Sequence, residues 1–110
     1  MIPMIEVFRY QSEEGAEPLT DWLLSLRDKQ VQAKIRIRLK RLEAGNFGDC
    51  EAVGEGVHEL REHLGAGYRV YFGRHGHMVV ILLSGGSKRS QATDIKTAKA
   101  YWQDWKRRQA

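Results

Sequence analysis

Cysteine, long apolar runs and low-complexity stretches are scarce or missing in this 110-residue chain, and each shortage removes a class of protein. The single cysteine, Cys50, cannot close an internal bridge, so no disulfide framework is expected. The longest strictly apolar run, Met78 to Leu83, is six residues, against the roughly 20 a membrane-spanning helix needs. Residues 1–6 lack the charged start and apolar stretch of a secretion signal. Together these point to a cytoplasmic protein with no membrane partner. His58, His63, His75 and His77 are not spaced as a zinc site, so neither metal nor cofactor is expected. Gly54-Glu-Gly56 and Gly85-Gly86-Ser-Lys88 both fall short of the phosphate-loop pattern. No Ser/His/Asp nucleophile arrangement has a local signature either.

What is present suits one ordinary globular domain over residues 1–110. Hydrophobic residues are 42% and charged residues 29%. The net charge is only +4, but it is segregated. Residues 1–26 carry one base and five acids, and residues 44–60 carry four acids and no base. Residues 27–43 and 88–110 each carry seven bases and two acids. Clustered Lys and Arg attract phosphates, although a solvated helix face or an acidic protein partner would use them equally well.

Periodicity predicts the element order strand, two helices, three strands, helix. Residues 4–10 alternate as a first strand. Pro18 opens a helix whose Leu19, Trp22, Leu23 and Leu26 form one apolar stripe. A second helix from about Gln30 to Ala44 turns Val31, Ile35, Leu39 and Leu42 inward and Lys34, Arg38 and Arg41 outward, and Gly45-Asn46 ends it. Residues 46–56, with three glycines and three acids, read as a surface loop. Strands follow at 57–64, 68–74 and 77–84, Gly85-Gly86 breaks the sheet, and a final helix begins near Ser90. The fold class is α+β, a small domain with a mostly antiparallel sheet packed by helices.

Pairing Leu64 with Tyr68 across Gly65-Ala66-Gly67 puts even-numbered positions of both strands on one face. That face holds Leu60, Leu64, Tyr68, Val70 and Phe72, and is the predicted core. The odd face gathers Glu59, Arg61, His63, Arg69 and Tyr71, with Lys88 and Arg89 delivered to its edge. Such a face suits metal-free cleavage of RNA by 2′-hydroxyl attack. Arginine forks hold phosphate oxygens, an imidazole titrating near neutrality moves a proton, and a phenol stacks on a base or donates. Structural roles compete for the same residues: Arg61 with Glu59 or Glu62, Arg69 with an acid of residues 46–56, Tyr71 in sheet packing.

Three stretches carry a resemblance. Gly54-Glu-Gly-Val-His-Glu-Leu-Arg61, Gly65-Ala-Gly-Tyr-Arg-Val-Tyr-Phe72, and Val80-Ile-Leu-Leu-Ser-Gly-Gly-Ser-Lys88 with Gln91 and Asp94-Ile95 resemble the RelE/ParE toxin superfamily. More narrowly, the chain resembles its HigB-like, phage Gp49-like addiction-module killer proteins, over nearly its whole length and including Gly45-Asn-Phe-Gly-Asp49. The resemblance implies a RelE-like fold and the toxin of a bacterial type II toxin–antitoxin pair. Many such toxins are mRNA interferases, endoribonucleases that cut messages at the ribosomal A site. Arg69 and Lys88 then match the basic residues that support phosphate chemistry, with Arg61 a further candidate, and His63 and Tyr71 are nominated by geometry. Arg89, Lys34, Arg38 and Arg41 are the candidate RNA contacts. Where RelE-type enzymes carry an assisting tyrosine this chain has Thr93-Asp94, and Ser87 stands where close relatives have an acid before the lysine.

The implied partners are the ribosome with its message and a cognate antitoxin, a helix-turn-helix DNA-binding protein through which alone the complex would reach operator DNA. Two other functions fit the same superfamily. One is a ParE-like, non-enzymatic inhibitor of DNA gyrase using the basic, tryptophan-bearing last helix. The other is an inactive toxin fold that only binds its antitoxin.

Overall fold

The computed structural model describes residues 4–109, so the first half of the stretch read above for a secretion signal, residues 1–3, lies outside the described residues. Its elements are β1 (Glu6–Arg9), α1 (Pro18–Ser25), α2 (Lys29–Lys40) running into a 3-10 turn (Arg41–Ala44), and β2 (Cys50–Gly54). Then come β3 (Val57–Glu62), β4 (Tyr68–His75), β5 (Val79–Ser87), a 3-10 turn (Lys88–Ser90) and α3 (Gln91–Gln109). The sheet order is β1-β5-β4-β3-β2, antiparallel except for the parallel β1–β5 pair. This is the expected mostly antiparallel α+β domain, with one more strand than the sequence predicts.

That strand is β2, inside the stretch read as a loop. It forms a hairpin with β3 through Glu55-Gly56, both at positive φ (55° and 83°). Two-residue hairpin turns need that geometry and usually declare themselves by Asn-Gly or Asp-Gly. Glutamate at the first position hides the signal. The strand is also a largely exposed edge, and Cys-Glu-Ala-Val-Gly is too short to show apolar alternation.

The helix starts follow local chemistry. Pro18 occupies the first turn of α1, where its missing N–H costs nothing. Asp28 caps α2 by accepting from the Gln30 and Val31 amides at 2.9 and 3.3 Å. The inward stripe of α2 is as expected, with Val31, Ile35, Leu39 and Leu42 joining Leu60, Val70 and Phe72 in one core.

The β3–β4 register differs from the expected one by two residues. Glu62 faces Tyr68, leaving residues 63–67 as the loop, so Leu64 lies outside the core. Because the shift is even, face assignment survives. What the odd face meets does not match the expectation of an open surface. It is covered by α3, and a second core forms there from Tyr10, Val57, Tyr71, Ile81, Leu83, Ala98 and Trp102. The sheet is a middle layer with helices on both sides.

Gly85-Gly86 does not end the sheet; β5 runs through both to Ser87. A bulge opposite Tyr71–Phe72 inserts Leu83, so Ser84 rather than Leu83 pairs with Tyr71 and the alternation slips by one. A Cβ at Gly85 would strike the indole of Trp22 from α1, and one at Gly73 the indole of Trp102 from α3. The strand glycines mark close approach rather than a break.

Candidate nucleic-acid interface

Two register rows organise the predicted site. Glu59, Tyr71 and Ser84 lie abreast across β3, β4 and β5, and Arg61, Arg69 and Gly86 form the next row. Arg61 and Arg69 are therefore direct cross-strand neighbours, an arrangement that repels unless each charge is compensated. Each is, by a different acid and in a different setting.

Arg69 turns inward. Its side chain is 8% exposed, and its Nε lies 3.7 Å from Glu59 Oε1, an ion pair without a hydrogen bond. Glu59, itself buried, accepts from Gln91 Nε2 of α3 at 2.8 Å. Asp94 and Ser90, in the first turns after β5, fill the space that a side chain at Gly86 would take. Tyr71 is fully buried, and burial followed by the carboxylates of Glu59 and Asp94 pushes its phenol above the ordinary tyrosine range. The Tyr71 hydroxyl, Ser84 Oγ, and Arg69 Nε and Nη1 are buried with no hydrogen-bond partner. Nominated as a catalytic residue that stacks on a base or donates a proton, Tyr71 is instead sealed beneath α3, because the odd face is a second core. Arg69 also pairs with Glu59, a strand neighbour's acid, and not with an acid of residues 46–56.

Arg61 turns outward, to the sheet's open end. Its Nε and Nη2 donate to Asp49 Oδ1 at 3.2 and 2.9 Å, and its Nη1 lies 2.8 Å from Glu51 Oε2. The other oxygen of Asp49 meets His63 Nε2 at 2.6 Å. One carboxylate thus joins an arginine fork to an imidazole that is 70% exposed. Hydrogen bonds from His63 and then Arg61 hold the Asp49 carboxyl below its ordinary range, and the Asp49 bond pushes the Arg61 guanidinium up. Neither Glu59 nor Glu62 pairs with Arg61, since β2 brings Asp49 and Glu51 alongside it.

Lys88 and Arg89 are exposed in the 3-10 turn after β5. The Lys88 amide donates to Gly67 O at 3.0 Å, so this turn sits against the β3–β4 loop that carries His63. Lys34 on α2 and Arg41 in the 3-10 turn that follows are exposed, but Arg38 is spent internally. Its Nη1 donates to Arg61 O at 2.6 Å, and its Nη2 to Phe47 O and Asp49 O at 3.1 and 2.9 Å. A guanidinium committed to three carbonyls is a brace for the Asp49 corner, not a free RNA contact.

Asp49, Glu51, Glu59 and Gln91 carry no catalytic or RNA-binding role in the sequence reading, which offers the acids only as structural partners of Arg61 and Arg69. Asp49 lies in the Gly45-Asn-Phe-Gly-Asp49 stretch, and only the unrecognised β2 places it beside Arg61. Among the described residues no group of three or more His, Cys, Asp or Glu side chains converges to hold a metal ion. No described helix is long and apolar enough to cross a membrane.

Comparison with known proteins bears on the same residues. The chain is 48% identical over 83 residues to an uncharacterised protein of Haemophilus influenzae, covering 76% of this chain and 84% of that one. Residues 21–103, which hold every site residue named above, match the family described as Phage derived protein Gp49-like (DUF891). With that span running from α1 into α3, the chain belongs to the Gp49-like family, the Gp49/HigB-like toxins of addiction modules.

Proposed function

We propose that the protein, acting as a single toxin domain in the cytoplasm, is a ribosome-dependent mRNA endoribonuclease that stops translation until its antitoxin binds. The observation that carries this reading is the convergence of Arg61 and His63 on Asp49 at 2.6–3.2 Å. Asp49 orients the imidazole and stabilises the cation formed when His63 takes the 2′-hydroxyl proton, the role a buttressing aspartate plays in acid–base dyads. The new 2′-oxygen–phosphorus bond forms as the 5′-oxygen leaves and takes a proton from water, giving a 2′,3′-cyclic phosphate. Arg61 and Lys88 hold the charge on the phosphate, Arg61 exchanging Glu51 for a phosphate oxygen. Arg89 extends the contact to flanking phosphates, while Lys34 and Arg41 add positive potential to that side of the molecule without touching the message. Arg69 reaches a phosphate only when the Gln91–Glu59 contact opens, and Tyr71 supports the site from beneath.

The test is mapping of RNA 5′ ends after brief induction, with wild type and His63→Ala. Cuts within codons of translated messages are expected, falling about 10²–10⁴-fold in the variant. The seal over Arg69 and Tyr71 favours a second reading, a toxin that acts by binding alone. Intact messages with DNA damage would identify gyrase as its target, and harmless expression without antitoxin would identify an inactive fold.

A further inference from the structure

We infer that the outward face of α2 is the seat of the antitoxin, and that the occupant is an acidic segment carrying an apolar anchor. The inference rests on the toxin–antitoxin reading and adds the surface to it. Ile37 is the observation that starts it. It lies opposite the buried stripe of α2 and is 53% exposed. Its neighbours one turn away along the helix are Ala33, Lys34, Lys40 and Arg41. A lone exposed isoleucine is ordinary on any surface. This one stands at the centre of a cationic ring and on the rim of a depression of about 300 Å³ formed with Lys34, Arg38, Arg41 and Glu62.

On the other side of the helix a second depression, about 330 Å³, has Val7, Leu39 and Leu82 for a floor and Arg9, Arg36 and Lys40 for walls. Residues 27–43 carry seven bases against two acids, and the one carboxylate lining the first depression, Glu62, already faces Arg38 at 3.4 Å. Lys40 lies 3.9 Å from Glu43, so the face is apolar at its middle and keeps Lys34, Arg36 and Arg41 as cations with no ion-pair partner among the described residues. That is the layout of a protein interface, with an apolar centre inside a polar rim. Charge complementarity demands an acidic occupant, and the apolar floors demand side chains such as leucine or valine on it.

RNA fits the same face less well. It would use the charge but leave Ile37 and the apolar floors unfilled. No aromatic side chain stands on the outer face of α2 to stack a base, the contact on which single-stranded RNA recognition leans.

The experiment uses the full chain and its cognate antitoxin. Wild type, Ile37→Asp and the double variant Lys34→Glu/Arg41→Glu are titrated with purified antitoxin by calorimetry, with circular dichroism confirming each fold. Ile37→Asp should weaken binding about tenfold or more, and the charge reversal about a hundredfold at low salt, with a flattened salt dependence. In cells, Ile37→Asp should keep full toxicity alone yet escape neutralisation by the antitoxin. Variants that bind the antitoxin as wild type does would overturn the surface while leaving the toxin–antitoxin reading intact. Wild type that binds no antitoxin would overturn both. A charge reversal that cuts message cleavage tenfold but spares antitoxin binding would make α2 an RNA contact, and would also overturn the inference.

Discussion

Arg61 and Arg69 face each other across β3 and β4, point to the same side of the sheet, and end in opposite circumstances. Arg61 lies where α3 has not reached, and grips two carboxylates supplied by the edge strand. Arg69, one strand further in, lies beneath the first turns of α3, beside a buried glutamate that it does not properly hydrogen-bond. The pair teaches that strand parity decides which face a residue joins, while the element overhead decides whether that residue meets solvent. A charge in the first setting is available for exchange with a ligand; one in the second is held by the cost of leaving its partner buried.

The sharpest way to break the comparison is to remove the inner acid. Glu59→Gln leaves Arg69 buried with no countercharge and should lower unfolding free energy by about 3–5 kcal/mol in denaturant titrations. Glu59→Leu combined with Arg69→Met should recover most of that loss. A loss below about 1 kcal/mol for Glu59→Gln would show that the inner pair is as wet as the outer one.

The outer corner should respond in the opposite way. Asp49→Asn removes the carboxylate that joins Arg61 to His63, so cleavage should fall about tenfold or more while the unfolding midpoint stays within error of wild type. Lost stability with retained cleavage would reverse the roles assigned to the two corners. Acid titration gives a smaller signal. Because the Asp49 carboxyl is held below 3.8 in the fold, its contribution is complete above that value and fades as pH falls through the lowered one. Carbonyl chemical shifts should still report mostly ionised Asp49 at pH 3.8; a midpoint at or above it would exclude the bond to His63.

Tyrosine ionisation is the most delicate probe. Tyr10 is buried, donates to Asp104 at 2.7 Å, and is pushed up to about 12 by burial and then by that carboxylate. Tyr71 is pushed higher still. Both raise the folded value of an acid, so their contribution is complete below pH 10 and lost as pH rises through the elevated values. Spectrophotometric titration should find Tyr10 and Tyr71 ionising late, and Asp104→Asn should return Tyr10 toward 10 without moving Tyr71. Tyr71 ionising in the ordinary tyrosine range would mean that α3 does not seal the inner row.

Much of this arrangement was legible from periodicity. The inward stripes of α1 and α2 and the even face of the β3–β4 hairpin follow from spacing alone. Three features did not, each for a definable reason. β2 has a glutamate where hairpin turns advertise themselves with asparagine or aspartate, and its exposed edge gives no alternation. β5 continues through Gly85-Gly86 because Trp22 of α1 needs the room over Gly85, and Asp94 with Ser90 the room over Gly86, a long-range cause that no local window contains. The landing of α3 on the odd face is also tertiary: Gln91 meets Glu59 across 32 positions, and the helical spacing of Trp102 and Trp105 does not reveal which face they cover. Since Asp49 reaches Arg61 only through β2, missing that strand meant missing the carboxylate at the centre of the candidate site.

Trp22 and Trp102 press on glycines of adjacent strands from opposite sides of the sheet. Each indole and its glycine form a matched pair in which neither member can change alone. Alanine at position 85 would evict the ring above it, and a smaller residue at position 22 would leave an unfilled hollow over the glycine. Natural variation at these sites should therefore come in couples, a bulkier strand residue accompanied by a slimmer helix residue. Such compensating exchanges between α1 and β5, or between α3 and β4, would trace the thickness of this sandwich through its evolutionary history.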